Sequence, residues 1–261
     1  MGILLSVTAA AAVLTAATAS AQPEKPTILL VHGAFADASS WNGVIPILEK
    51  DGYRVVAVAN PLRSVKNDAQ YVADIAKSIG SPVVLVGHSY GGAVISEVKA
   101  PNVAALVYVA AFAPDVGETA SALSQKFPGS TLGPALAKPV ALSGGGNDLY
   151  IQREKFHDQF AADVPAADAA VMGAGQRPIT EAALNEAARE AIWKSIPSWF
   201  IYGDQDRNIP PQALQFMAER AKSKQTEAVR GASHVVMTSH PDAVAKMIER
   251  AATAPKAKQR E

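Results

Sequence analysis

Short runs of β-branched and aliphatic residues recur along this chain, separated by longer stretches whose apolar residues fall at helical spacing. The runs are 27–31 (TILLV), 54–58 (RVVAV), 82–86 (PVVLV), 103–110 (VAALVYVA), 198–202 (SWFIY) and 225–229. A strand without polar alternation is buried on both faces, and a parallel sheet covered by helices provides that environment. Between the runs, a helix capped by Ser39 or Ser40 and ending near Lys50 carries Trp41, Val44, Ile47 and Leu48 on one face. Further helices are predicted over 68–79, 90–98 and 212–221, and from Pro241 onward. The alternation therefore predicts six parallel strands with helices on both faces.

The rhythm breaks between the fourth and fifth runs. Residues 115–195 hold glycine and proline clusters, such as Phe127-Pro128-Gly129 and Ser143 through Gly146, and Ala-rich stretches around 148–162, 165–174 and 180–193. No β-rich run stands out, so this segment is expected to be a helical cap laid over the sheet. Hydrophobic residues make up 49% of 261, enough for a sizeable core, and residues 22–261 are read as one domain. Lys plus Arg and Asp plus Glu are 24 each, a balance that argues against binding a polyphosphate backbone. With no cysteine, disulfides, a thiol nucleophile and thiolate-ligated zinc are excluded.

Residues 3–21 are uncharged and rich in Ala and Thr, then the chain turns polar at Gln22-Pro23-Glu24-Lys25. Ala19-Ser20-Ala21 has the small-x-small form of a cleavage site, so 1–21 is expected to be a signal peptide and the mature protein to be exported. The segment has no Lys or Arg ahead of its apolar run, and its composition makes it a weak membrane span. No other run approaches spanning length, so the mature chain is expected to have no membrane span.

Gly87-His88-Ser89-Tyr90-Gly91 reads G-x-S-x-G and falls between a predicted strand and a predicted helix. A serine on such a sharp turn has its hydroxyl exposed above the sheet, and flanking glycines let strand and helix approach closely. Ser89 is thus the candidate nucleophile. It needs a base, and His234 lies in Gly231-Ala232-Ser233-His234, just after the last strand. Of the other histidines, His32 and His88 are read as structural, and His157 and His240 as surface residues. No pair has metal-ligand spacing.

The third member should be an acid that fixes the imidazole tautomer. Asp206 is preferred, following the fifth strand with Ile209-Pro210 behind it; Asp204 and Asp115 remain alternatives. An oxyanion hole would use the amide of Tyr90, after the nucleophile, and that of Ala34, after the first strand.

Five segments carry a family resemblance: LLVHGAFADASSW (29–41), VVLVGHSYGGAVIS (83–96), YVAAFAPD (108–115), DRNIP (206–210) and GASH (231–234). Over residues 26–252 the chain resembles the α/β-hydrolase superfamily, and within it the branch of plant methyl esterases and hydroxynitrile lyases. The resemblance implies Ser89, Asp206 and His234 as triad, the amides of Ala34 and Tyr90 as oxyanion hole, no cofactor, and a small-molecule pocket between sheet and cap. Lyases of that branch have a lysine directly after the triad histidine and a threonine just after the loop histidine; here those positions are Val235 and Gly33.

The expected activity is therefore hydrolysis of a carboxylic ester of a small, largely apolar substrate through an acyl-serine. Lactone opening, C–C bond hydrolysis and lyase chemistry use the same groups, and a triad-bearing binding protein with negligible turnover is the alternative of another class. Cap residues Phe127, Leu132, Leu136 and Leu149, together with Phe156, Phe160, Met172 and Trp193, are candidates to line the pocket. The sequence leaves the oligomeric state open.

Overall fold

The computed structural model describes residues 25–254, so the expected leader over 1–21 lies outside the described residues. Six parallel strands form the central sheet: β1 (Thr27–Val31), β2 (Val55–Val58), β3 (Val83–His88), β4 (Val103–Val109), β8 (Ser198–Gly203) and β9 (Thr226–Val229). Three more, β5 (Val140–Ala141), β6 (Asn147–Leu149) and β7 (Ile179–Thr180), lie in the insertion. The central order is β2-β1-β3-β4-β8-β9. Every residue of β1 and β3 is buried, whereas β2 and β9 at the edges are half open. The uninterrupted apolar runs thus occupy the centre, and the polar sequence Thr-Glu-Ala-Val guards one edge.

The chain steps from β1 outward to β2, then back across to β3 and onward to β9. Right-handed crossovers place α1 (Ile45–Lys50) on one face and α2 (Val65–Ser78) and α3 (Tyr90–Ile95) on the other. The insertion supplies α4 (Ala120–Gln125), α5 (Leu132–Ala135), α6 (Arg153–Phe160), α7 (Ala166–Gly175) and α8 (Glu181–Asn185). After β8 come α9 (Pro211–Arg220), the short α10 (Val236–Ser239) and α11 (Pro241–Thr253), which packs on α1, β3, β4 and β8. The crevice where the strand order reverses, between β1 and β3, opens at their carboxyl ends.

Three expectations need correction. The insertion is not wholly helical: β5, β6 and β7 form a three-stranded antiparallel sheet within it. Each strand is only two or three residues long, too short to show a period of two. The predicted helix over 180–193 ends at Asn185, because Ala188 pairs main chain with Gly117 and Glu118 instead. The expected helix from Ser39 or Ser40 to Lys50 is split in two. Asp37 accepts the Ser39 N–H at 2.8 Å and caps a 3₁₀ turn over Ala38–Trp41, and α1 starts afresh at Ile45. A single helix would need an N–H from Pro46, which has none.

Candidate active site

Ser89 sits at the end of β3 with φ 53° and ψ −122°, a left-handed conformation that a side-chain-bearing residue rarely adopts. The flanking glycines permit this sharp turn. A Cβ on Gly87 would lie 2.6 Å from the Gly91 carbonyl oxygen, and one on Gly91 would lie 2.3 Å from that of Val31. Across the crevice, a Cβ on Gly33 would meet Ser89 Cβ at 2.6 Å and the His88 carbonyl oxygen at 2.7 Å. The loop after β1 therefore rests directly on the turn that carries Ser89.

His234 and Asp206 are brought together as expected. His234 Nδ1 donates to Asp206 Oδ2 at 2.6 Å, and both side chains are completely buried. The second carboxylate oxygen, Oδ1, accepts the main-chain N–H groups of Asn208 (2.8 Å) and Ile209 (3.0 Å). With Nδ1 as donor, Nε2 of the neutral ring is left with its lone pair, and it is buried without a hydrogen-bond partner. The Ser89 hydroxyl makes no hydrogen bond to it among the described residues, a separation common in unliganded sites.

The other two acids are elsewhere. Asp204 Oδ1 accepts the Gly231 N–H at 2.7 Å, tying the loop after β8 to the loop after β9. Asp115 is paired with Lys194 at 2.5 Å, and that hydrogen bond holds its carboxyl below the ordinary value. Neither touches His234.

The structural reading of His32 and His88 holds. His32 Nε2 accepts the Asn60 N–H at 3.1 Å while Nδ1 donates to the Gly33 carbonyl at 2.9 Å. His88 Nε2 donates to the His234 carbonyl at 3.1 Å, and its ring lies 4.8 Å from the His234 ring. Burial lowers the affinity of both for a proton, so each stays a neutral brace at neutral pH. His157 and His240 are both only partly buried: His157 bonds to the Val164 carbonyl and His240 lies 3.5 Å from Asp163.

Three participants escaped the sequence reading. Asp68, buried on α2, accepts the Tyr90 hydroxyl at 3.0 Å, anchoring the residue after Ser89 from below. Desolvation raises its carboxyl to about 6 and pushes the Tyr90 phenol well above its ordinary value. Asn208 and Gln159 meet behind Asp206, with Gln159 Nε2 donating to Asn208 Oδ1 at 2.6 Å. Asp206-Arg207-Asn208 has the spacing by which an Asp side chain bonds main chain two residues on, a signal that was present in the sequence. A buried glutamine on a cap helix has no such signature.

A cavity of about 610 Å³ opens over Ser89, with Ala34 and Tyr90 in its wall. Tyr90 opens α3, where first-turn amides lack an intrahelical carbonyl. Of the cap residues expected to line this cavity, Phe127, Leu132, Leu136 and Leu149 do. Phe156 and Phe160 are instead packed inside, and the Trp193 indole donates to the Pro114 carbonyl at 2.8 Å. Met172 borders a separate hollow of about 160 Å³ behind Phe35. Val235 is fully buried and outside the cavity wall. Among the described residues no helix is long and apolar enough to cross a membrane, and no group of three or more His, Asp or Glu side chains is arranged to hold a metal.

Residues 28–247 match the Alpha/beta hydrolase family. The alpha/beta hydrolase nvfD of Aspergillus novofumigatus is 30% identical, with 87% of this chain and 97% of that protein covered. Methylesterase 1 of Arabidopsis thaliana is 25% identical, with 85% and 94% covered. Among solved structures, polyneuridine aldehyde esterase superposes with a TM-score of 0.75 at 19% identity, covering 87% of this chain and 98% of that one.

Proposed function

The chain belongs to the alpha/beta hydrolase family, and from that premise we propose that it is a serine esterase acting on small, neutral, largely apolar carboxylic esters. One observation carries the reading: the buried Asp206–His234 bond leaves Nε2 unpartnered in a ring 4.8 Å from that of His88, whose neighbour Ser89 is presented to a cavity on a strained turn. Similarity to a methylesterase supports the choice of ester chemistry.

In this mechanism Ser89 Oγ attacks the acyl carbon as His234 Nε2 takes the hydroxyl proton. Asp206 stabilises the resulting imidazolium and holds the ring in place. The carbonyl oxygen becomes an oxyanion, and the amides of Ala34 and Tyr90 donate to it. Collapse breaks the C–O bond to the alcohol, which leaves with the proton from Nε2. Water then gives its proton to Nε2, attacks the acyl-serine, and releases the carboxylic acid with Ser89 restored.

The cavity falls in the size range of small-molecule sites. Phe35, Phe112, Phe127, Leu132, Leu149 and Ile209 make its wall apolar, and among the described residues Glu181 is the single charged side chain in that wall. An ester bearing a free carboxylate would meet a like charge there. Gly33 and Val235 argue against cyanohydrin cleavage: a threonine at 33 has no room beside Ser89, and the buried position 235 does not face the cavity.

The test is labelling with a fluorophosphonate, then kinetics on a panel of esters and lactones. Ser89→Ala is expected to abolish labelling and lower kcat by roughly 10⁶-fold. Persistent labelling, or retained turnover of p-nitrophenyl esters, in that variant would sink the proposal.

A further inference from the structure

The last turn of α6 meets the acid and the base at once. Gln159 is 6% exposed, and both ends of its amide are used. Its Nε2 donates to the Arg207 carbonyl (3.0 Å) and to Asn208 Oδ1 (2.6 Å), while its Oε1 accepts the Thr131 hydroxyl (2.8 Å). The next residue, Phe160, sets its ring 5.1 Å from that of His234, and its carbonyl accepts the Ser233 hydroxyl at 3.4 Å. Consecutive cap residues thus grip the acid loop and the base loop.

One residue separates Gln159 from Asp206. Asn208 receives Gln159 on its side-chain oxygen, takes the Ser124 and Ser130 hydroxyls on its carbonyl, and donates its own N–H to Asp206 Oδ1. Four cap side chains, those of Ser124, Ser130, Thr131 and Gln159, therefore converge on the two residues after the acid or on the glutamine that holds them. An apolar side chain would fill the same space. A buried amide instead costs free energy unless its bonds are made, and when they are made it fixes one orientation.

We propose that Gln159 is a positioning residue, acting through Asn208 to pin Asp206 Oδ1 so that Oδ2 stays aimed at His234 Nδ1. The cap then does more than enclose substrate: it must be docked for the base to be aligned. This rests on the reading of Ser89, His234 and Asp206 as triad. Its signature lies in the leaving group. An alkyl ester needs His234 to protonate the departing alkoxide, whereas p-nitrophenolate leaves unaided, so a loosened imidazole harms alkyl esters more.

The experiment compares the full chain with Gln159→Leu and Thr131→Val. Rates are counted per site titrated with a fluorophosphonate, on a p-nitrophenyl ester and an ethyl ester of the same acid. Gln159→Leu is expected to lose roughly 10- to 100-fold in kcat/KM on the ethyl ester, the constant that reports acylation and so the protonation of the leaving alkoxide. The loss on the p-nitrophenyl ester should be smaller, and KM should stay within about twofold. Thr131→Val should move the same way by less, and it carries the test if Gln159→Leu does not fold. Unchanged per-site rates, equal losses on both esters, or a change confined to KM would overturn the proposal while leaving the triad intact. A wild-type chain that does not label at Ser89 would overturn both.

Discussion

The rim of the sheet and the cap above it are attached by different physics. At the rim, Ser89 and the loop carrying Ala34 follow strands in which Ile28 to Val31 and Val83 to Val86 are all fully buried. Each such side chain contributes roughly 1.5–3 kcal/mol by leaving water, and the effect has no direction to lose. The seam between sheet and cap adds directed bonds to apolar packing such as that of Phe160 on Phe35 and His88. Arg177 accepts the Phe35 N–H, Leu62 accepts the Thr180 N–H, Arg63 pairs with Asp148, and Gln159 holds the loop after β8. A sheet built by burial tolerates little movement, whereas the directed bonds of the seam can be removed one at a time. The chemistry should therefore fail in large steps at the rim and small ones in the cap.

The largest effect that sharpens this contrast is at Asp206. Asp206→Asn preserves the shape and can still accept from the Asn208 and Ile209 amides, but it favours the wrong histidine tautomer. A drop of about 10⁴-fold in kcat is expected, with little change in melting temperature. Rapid-mixing kinetics on the p-nitrophenyl ester would measure it. A loss below tenfold would mean that Asp206 does not serve His234, and the contrast between rim and cap would lose its main support.

A second effect, on stability rather than rate, comes from a buried acid under the rim, Asp68 beneath Tyr90. Burial holds its carboxyl at about 6 in the fold against an ordinary 3.8, so the folded protein favours the protonated acid. Relative to the fully protonated state, stability should be undiminished below pH 4. It should be lost as the pH rises through 6, by on the order of 3 kcal/mol in all. In Asp68→Asn that pH-dependent loss should disappear, leaving a constant offset from the altered hydrogen bonds. Urea melts of both proteins at pH 4, 5, 6 and 7 would test it. Parallel stability curves would show that Asp68 ionises as freely in the fold as outside it.

The same contrast explains what could be read from the sequence. The central strands announce themselves because burial on both faces demands unbroken apolar runs, and Ser89 and Asp206 each sit just beyond one, whereas His234 follows the polar edge strand β9. Asp206 is preferred over Asp204 and Asp115 already from the sequence, although all three acids follow a strand, and of the three it is the one bonded to His234, at 2.6 Å. The cap was legible only in outline. Val140 in β5 is 49% exposed and the strand beside it reads Asn-Asp-Leu, so neither burial nor alternation marks them. Gln159 and Asp68 look like ordinary polar positions on helices until three-dimensional packing buries them. Directed bonds between distant segments leave almost no local trace, and several of those in the seam join segments far apart in the chain.

The smallest expected effect belongs to Glu181, in the cap wall of the cavity. Its carboxylate accepts the Asn147 side-chain amide at 3.0 Å across an exposed stretch of the cap, and it faces no cation in the cavity wall. Water screens a charge so placed, so its influence on a charged substrate should be modest, roughly five- to tenfold in kcat/KM. Three p-nitrophenyl esters matched in bulk, one neutral, one cationic and one bearing a carboxylate, would reveal it. Glu181→Gln should improve only the anionic ester, and Glu181→Lys should improve it further while weakening the cationic one. The neutral ester should be turned over equally by all three proteins, because Glu181 lies on the side of the seam that selects substrate and not on the side that performs the reaction. A loss on the neutral ester as large as on the charged ones would place Glu181 among the groups that hold the site in shape.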